Sequence, residues 1–305
     1  MRHMGLLEWS LLLVLAAVWG SAFFFGKIAL REVGPLTLVA SRIVVAATVL
    51  NLILFTTGQR LPRDLATWRQ LAVMGTVGVL VPFTMIFWAQ TYINSGFAGT
   101  LNATVPMWSV LLAHFLHTER LTPLRTLGAL TGLAGVGVML GLDALHGVGE
   151  NVVPQLAVLC GAMLYAVSGF YARRLKHVPA LVSAAGMVTF TLIVSLPLAL
   201  IFEHPWARLD ANGIWHHGWP SPAAVGSLVA LGLFCTAFAY VLYFHMLARV
   251  GPENALLSTY LIPVSAVVLG VLVLHERLQV QHLAGMALIA VGLALIDGRI
   301  MRRLS

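Results

Sequence analysis

Residues 106–121 read PMWSVLLAHFLHTERL, and residues 263–278 read PVSAVVLGVLVLHERL. Both stretches open on proline and close on Glu-Arg-Leu, as Glu119-Arg120-Leu121 and Glu276-Arg277-Leu278, at an offset of 157 residues. Outward from them the match continues without a gap from Gly96 to Gly137: Ala98 pairs with Ala255, Val110 with Val267, Leu112 with Leu269, Gly128 with Gly285 and Gly135 with Gly292. Each copy sits in a half with an odd number of apolar stretches, so the second half has to enter a membrane upside down. Inverted halves are the build of alternating-access carriers. The repeat therefore points to transport.

Composition supplies the membrane. Hydrophobic residues make up 59% of the 305-residue chain and charged residues 10%, with a mean hydropathy of +0.91, outside the range of soluble domains. A hydrocarbon core of ~30 Å needs ~20 apolar residues per helix. Ten such stretches are legible, at 8–30, 35–57, 67–91, 95–117, 122–142, 152–173, 179–202, 222–249, 252–274 and 280–300. Turn and helix-start residues such as Gly34-Pro35, Asn94-Ser95-Gly96 and Thr122-Pro123 separate them. Backbone in lipid must satisfy its own hydrogen bonds, and these runs are too long for barrel strands, so they are helices. The expected fold is an all-α integral membrane protein of ten transmembrane helices. Two inverted five-helix repeats, residues 1–146 and 147–305, form one structural unit.

Lysine and arginine set the orientation. With the N-terminus inside, thirteen of them fall on cytoplasmic segments and four outside (Lys27, Arg31, Arg208 and Arg277), while Arg42 lies within the second span. That bias places both termini in the cytoplasm. A net charge of +7 arises from helix ends on one side, where anionic lipid is the expected partner; nucleic acid is not. Cys160 and Cys235 both fall in apolar spans, so no disulfide framework is expected. The N-terminal apolar run reads as a retained first span. The outer loop from Glu203 to Ser221 carries Trp206, Trp215 and Trp219 beside His204, His216 and His217. Adjacent histidines without a cysteine or carboxylate at ligand spacing make a poor metal site, and the tryptophans read as interfacial anchors. No metal and no cofactor are expected.

Trp19-Gly20-Ser21 in the first span, with the two proline-to-Glu-Arg-Leu segments, resembles the EamA-type ten-helix members of the drug/metabolite transporter superfamily, and more loosely the YddG-like amino-acid exporters within it. The resemblance covers essentially the whole chain. It implies a central cavity lined by spans 1, 3, 4, 6, 8 and 9, with spans 5 and 10 supporting from the side. It also implies export of amino acids or related metabolites, and the location expected is the bacterial inner membrane. The partners expected are a small-molecule substrate and the lipid bilayer, with the chain acting as a monomer or, alternatively, a dimer.

Spans 1 and 6 align at a second offset, 147, which matches Ser21 with Ser168, Phe24 with Tyr171 and Lys27 with Arg174. Hydroxyls beside aromatic rings suit a cavity for amphipathic solutes; the competing reading of Ser21 and Ser168 is close helix packing. Asn102 stands one turn before Pro106, and its counterpart Thr259 one turn before Pro263. Proline frees the carbonyl four residues earlier, so Pro106 and Pro263 are candidate hinges, and Asn102 and Thr259 candidate cavity residues. Tyr165, Tyr240 and Tyr243 need hydroxyl partners inside the membrane, while Trp88 and His245 are equivalent at offset 157. Arg42 is the one strongly basic residue well inside a span. It could hold a substrate carboxylate; the favoured alternative is an outer gate or staple in which Arg42 pairs with Glu32 or Glu276. Glu119-Arg120 and Glu276-Arg277 read as helix-end charge pairs. The glycines Gly128, Gly132, Gly135, Gly137 and Gly141 form a small-residue face that serves packing within the chain rather than dimerisation.

All eleven carboxylates map to loops or span ends, which leaves no midplane acid to bind a coupling ion. Facilitated, gradient-driven transport is therefore expected, and a proton-coupled multidrug or metabolite antiporter using His114, His117 or His245 is the alternative. An intramembrane enzyme would need His-Glu-x-x-His or a serine with a histidine base, and neither is evident beside Ser168-Gly169. A channel would need rings of charge or a carbonyl filter.

Overall fold

The computed structural model describes residues 5–116, 122–140, 152–203, 208–209, 215–216, 219–250 and 257–297. Helix α1 spans Leu6–Ala29 and α2 spans Pro35–Thr56, the latter opening on a proline whose missing N–H is harmless in a first turn. Helices α3 (Leu65–Gly75) and α4 (Val81–Gln90) are joined by a π-helical turn, Thr76–Leu80, into one rod. Then come α5 (Ser95–Asn102), α6 (Val105–Phe115), α7 (Pro123–Leu140), α8 (Val152–Tyr171, continued by the 3₁₀ turn Ala172–Leu175) and α9 (Ala180–Phe202). A second π segment, Leu233–Phe238, links α10 (Pro222–Gly232) to α11 (Ala239–Val250). Helices α12 (Leu257–Leu272) and α13 (Val280–Asp297) close the chain. Arg208–Leu209 pairs antiparallel with Trp215–His216, a small departure from an all-helical chain.

Each of the ten apolar stretches carries a helix or a pair of helices. Among the described residues, six rods are long and apolar enough to cross a membrane: Leu6–Ala29, Pro35–Thr56, Leu65–Gln90, Val152–Leu175, Ala180–Phe202 and Pro222–Tyr243. The other four stretches carry shorter helices. Large apolar side chains such as Leu52, Phe55, Ile193 and Phe202 point outward, as a lipid-facing surface requires.

The two π segments begin at Thr76 and Leu233, again 157 residues apart. A π turn inserts one residue into the helical ladder and leaves main-chain groups without their usual partners. The prolines behave differently from one another. Pro106 stands just after a break, Ala103–Thr104, that separates α5 from α6, whereas Pro263 lies inside a continuous α12.

Helices α7 and α13 cross at their glycines. A Cβ on Gly128 would lie 2.7 Å from the Gly292 carbonyl oxygen, and one on Gly135 would lie 2.7 Å from that of Gly285. The later glycine of one helix thus meets the earlier glycine of the other, so the two helices run antiparallel. Only glycine permits backbones this close. The expectation of packing within the chain holds for Gly128, Gly132 and Gly135; Gly137 has open space beside it, and Gly141 lies outside the described residues.

Three carboxylates cap helices that are distant in sequence. Glu276 accepts from the Ser95 N–H at 2.8 Å, the Gly96 N–H at 3.2 Å and the Ser95 hydroxyl at 3.0 Å, at the start of α5. Glu203 accepts from the N–H groups of Leu36 (2.9 Å) and Thr37 (2.7 Å) at the start of α2. Glu32 takes the Ser221 N–H at 2.7 Å and its hydroxyl, ahead of α10. The unpaired N–H groups and the helix dipole both favour an anion there. Opposite in sign, the Lys27 ammonium donates to the carbonyls of Gln90 (2.6 Å) and Ile93 (2.9 Å), where α4 ends. Glu276 therefore acts as a helix cap and not as the partner of Arg42; Glu119 and Arg120 lie outside the described residues.

Candidate functional site

A cavity of about 240 Å³ lies among α1, α2, α6, α8, α12 and the two π-broken rods. Its wall is built from both halves of the chain at equivalent places. Gly78 and Cys235, Phe83 and Tyr240, and Val105 and Ile262 all line it, each pair 157 residues apart. Trp19, Ala22, Phe23, Ile86 and Phe87 complete an apolar, aromatic surface, into which Arg42, Tyr165 and Thr259 bring polar groups. This is the usual composition of a small-molecule pocket, mostly apolar with a few fixed polar atoms.

The second π segment positions Arg42. Its Nε donates to the Thr236 hydroxyl at 2.6 Å and its Nη2 to the Cys235 carbonyl at 3.1 Å. The Thr236 hydroxyl in turn donates to Leu231 O, five residues back, at 2.8 Å. On its other side the guanidinium carbon lies 3.9 Å from the centroid of Phe83 and 5.7 Å from that of Phe87, within range of a cation–π attraction. Arg42 is 4% exposed. Among the described residues no carboxylate forms an ion pair with it, so the expected pairing with Glu32 or Glu276 is replaced by hydroxyl, carbonyl and ring.

The structure brings Arg42, Tyr165, Tyr240 and Thr259 together around the cavity and distributes the other predicted residues around it. Tyr243 packs on Trp19 with centroids 5.5 Å apart, behind the wall. The Ser21 hydroxyl donates to Val18 O at 2.8 Å and lies 3.6 Å from the Cys235 sulfur. Ser168 faces Gly78 across a tight helix contact, its hydroxyl 3.5 Å from Met74 Sδ. Phe24 rests on Phe25, and Trp88 on Tyr92, with centroids 5.2 Å apart in each pair. Asn102 stands half-buried at the α5–α6 break, where its Oδ1 has no hydrogen-bond partner among the described residues. Tyr171 lies under the Arg174 guanidinium at 4.9 Å, and His245 is exposed on α11. The two prolines sit in α6 and α12, Pro263 one residue from the lining Ile262.

Sequence reasoning missed Trp19, Phe83, Phe87, Gly78 and Cys235. The repeat held a signal for three of them: once Tyr240 is a candidate, the offset of 157 nominates Phe83, and the flanking glycine and cysteine follow.

The model of the EamA-like transporter family matches the chain twice, over residues 7–141 and 153–297. The chain belongs to this family. It is accordingly a multi-pass membrane transporter. Similar proteins include an uncharacterized transporter of Bacillus subtilis, YoaV, 24% identical over 90% of this chain and 91% of that one. A probable terminal-alkyne amino-acid exporter of Streptantibioticus cattleyicolor is 29% identical over 97% of this chain and 94% of its own length. YedA, an uncharacterized inner membrane transporter of Escherichia coli, is 25% identical over 85% and 80%. A crystal structure that is 25% identical covers 98% of both chains with a TM-score of 0.67.

Proposed function

We propose that this EamA-like transporter exports small metabolites, amino acids foremost, from the bacterial cytoplasm through the inner membrane by alternating access. Ten spans in two inverted halves, 1–146 and 147–305, rock about the cavity and open it to each side in turn. The observation that carries this reading is the cavity wall, made from equivalent residues of the two halves: Gly78 with Cys235, Phe83 with Tyr240 and Val105 with Ile262. The antiparallel crossing of the equivalent helices α7 and α13 supports the inversion. The amino-acid exporter among the relatives supports the substrate class.

Transport is facilitated. The described carboxylates Glu8, Glu32, Asp64, Glu203 and Glu276 sit at helix ends, where they hold backbone N–H groups or, for Glu8, also Arg249. None lines the cavity, so among the described residues it offers no acid to exchange a proton against substrate. A counterflow screen of the twenty amino acids in proteoliposomes tests the reading. Saturable exchange accelerated by substrate on the far side is the expected result; a flux that does not saturate, or no flux for any of the twenty, would contradict it.

A further inference from the structure

We propose that Arg42 is the anchor for a carboxylate group on the substrate, and that the cavity selects small monocarboxylates bearing an apolar or aromatic group, with an α-amino group dispensable. The inference rests on reading the cavity as the transport site.

A guanidinium carries five N–H donors and no acceptor. In Arg42, Nε is used by Thr236 and one Nη2 donor by Cys235; among the described residues Nη1 makes no hydrogen bond. The positive charge is almost wholly buried, and the groups around it are a hydroxyl, a carbonyl and two aromatic faces. Those neutral partners orient the cation without neutralising it. A buried charge left without a counter-charge is costly, and within a membrane such a residue is retained for function. Glu32 and Glu276, the carboxylates within plausible reach from the sequence, are engaged at the starts of α10 and α5. No counter-charge stands beside Arg42 among the described residues, and a ligand carboxylate would supply it.

The geometry specifies which ligand. The Phe83 ring lies under the guanidinium carbon at 3.9 Å, and with Thr236 and Cys235 holding Nε and Nη2 the remaining donors are left for a planar two-oxygen acceptor. A carboxylate meets such a fork bidentately. Trp19, Ile86, Tyr240 and Ile262 then offer the apolar part of the ligand a matching wall. An apolar cavity of ~150 Å³ is already enough for benzene, so about 240 Å³ accommodates a ring with a short acid chain. For a substrate ammonium the lining supplies no carboxylate among the described residues. Removing the amino group thus breaks no ion pair, whereas removing the acid removes the anchor.

The full-length protein in proteoliposomes, loaded with unlabelled L-phenylalanine and offered labelled L-phenylalanine at alkaline pH, provides the assay. 3-Phenylpropionate is expected to block exchange at least as well as phenylalanine does, and phenylalaninamide and phenethylamine at least tenfold more weakly. In detergent, 3-phenylpropionate should raise the unfolding temperature of the wild type but not that of Arg42→Gln, and Arg42→Gln should lose at least tenfold in exchange while Arg42→Lys retains part of it. Equal competition by amide and acid in the wild type would overturn the inference whatever the variants do. So would unchanged exchange in Arg42→Gln, or the absence of both phenylalanine exchange and a thermal shift while other amino acids exchange. If none of the twenty amino acids exchanges, the transport reading itself falls, and the inference with it.

Discussion

Charge is used sparingly in this bundle, and among the described residues Arg42, Lys27, Glu32, Glu203 and Glu276 all hold main-chain groups. Glu203 joins α9 to the start of α2 through two N–H groups. Glu203→Ala should cost about 1–2 kcal/mol, as other lost N-caps do, visible as a lower unfolding temperature in detergent, with Glu203→Gln intermediate. Thr236 holds the Nε of Arg42, so Thr236→Val should weaken substrate exchange, by about 1–3 kcal/mol if the donor is left unsatisfied, read as a rise in KM. Arg42 itself was conspicuous in the sequence as a lone cation inside a span. Its partners were not, because a main-chain carbonyl and one threonine hydroxyl, 193 and 194 residues away, form no pattern readable along the chain. The expected carboxylate pairing failed for the same reason: Glu32 and Glu276 had better partners in exposed N–H groups whose positions only the fold defines.

At the level of elements, the helices were legible because apolar runs of this length in lipid have one solution. The predicted stretch 35–57 meets a helix of Pro35–Thr56, and 179–202 meets Ala180–Phe202. A break in the helix precedes Pro106, whereas its counterpart Pro263 lies in an unbroken helix, since packing against neighbours can carry a proline through. The π segments were invisible beforehand. The glycine crossing of α7 and α13 invites a paired test. Gly135→Ala brings a methyl against the Gly285 carbonyl and should destabilise by about 1–3 kcal/mol, the usual range for overpacking. Gly137→Ala meets open space and should be neutral or gain up to about 1 kcal/mol from helix propensity. Thermal unfolding of the two variants side by side separates them; equal effects would mean that the crossing does not bring the backbones together as described.

For the whole molecule, the repeat offset of 157 links what the sequence displays to the cavity wall, which equivalent residues of the two halves line. If Arg42 stays with the protein and an anion passes, each cycle moves a negative charge. An inside-negative potential then favours export, by about 2.3 kcal/mol per 100 mV. Vesicles clamped with valinomycin should therefore show potential-dependent flux for 3-phenylpropionate and little potential dependence for zwitterionic phenylalanine; a pH gradient at clamped potential should drive neither. The proposed inversion of the halves underlies all of this. It is tested most directly at Thr122 and Gln279, equivalent exposed positions just before α7 and α13. With Cys160 and Cys235 replaced by serine, Gln279→Cys in intact cells should react with a membrane-impermeant maleimide, and Thr122→Cys should react only after the membrane is opened. Labelling of both from the same side would contradict the inverted halves.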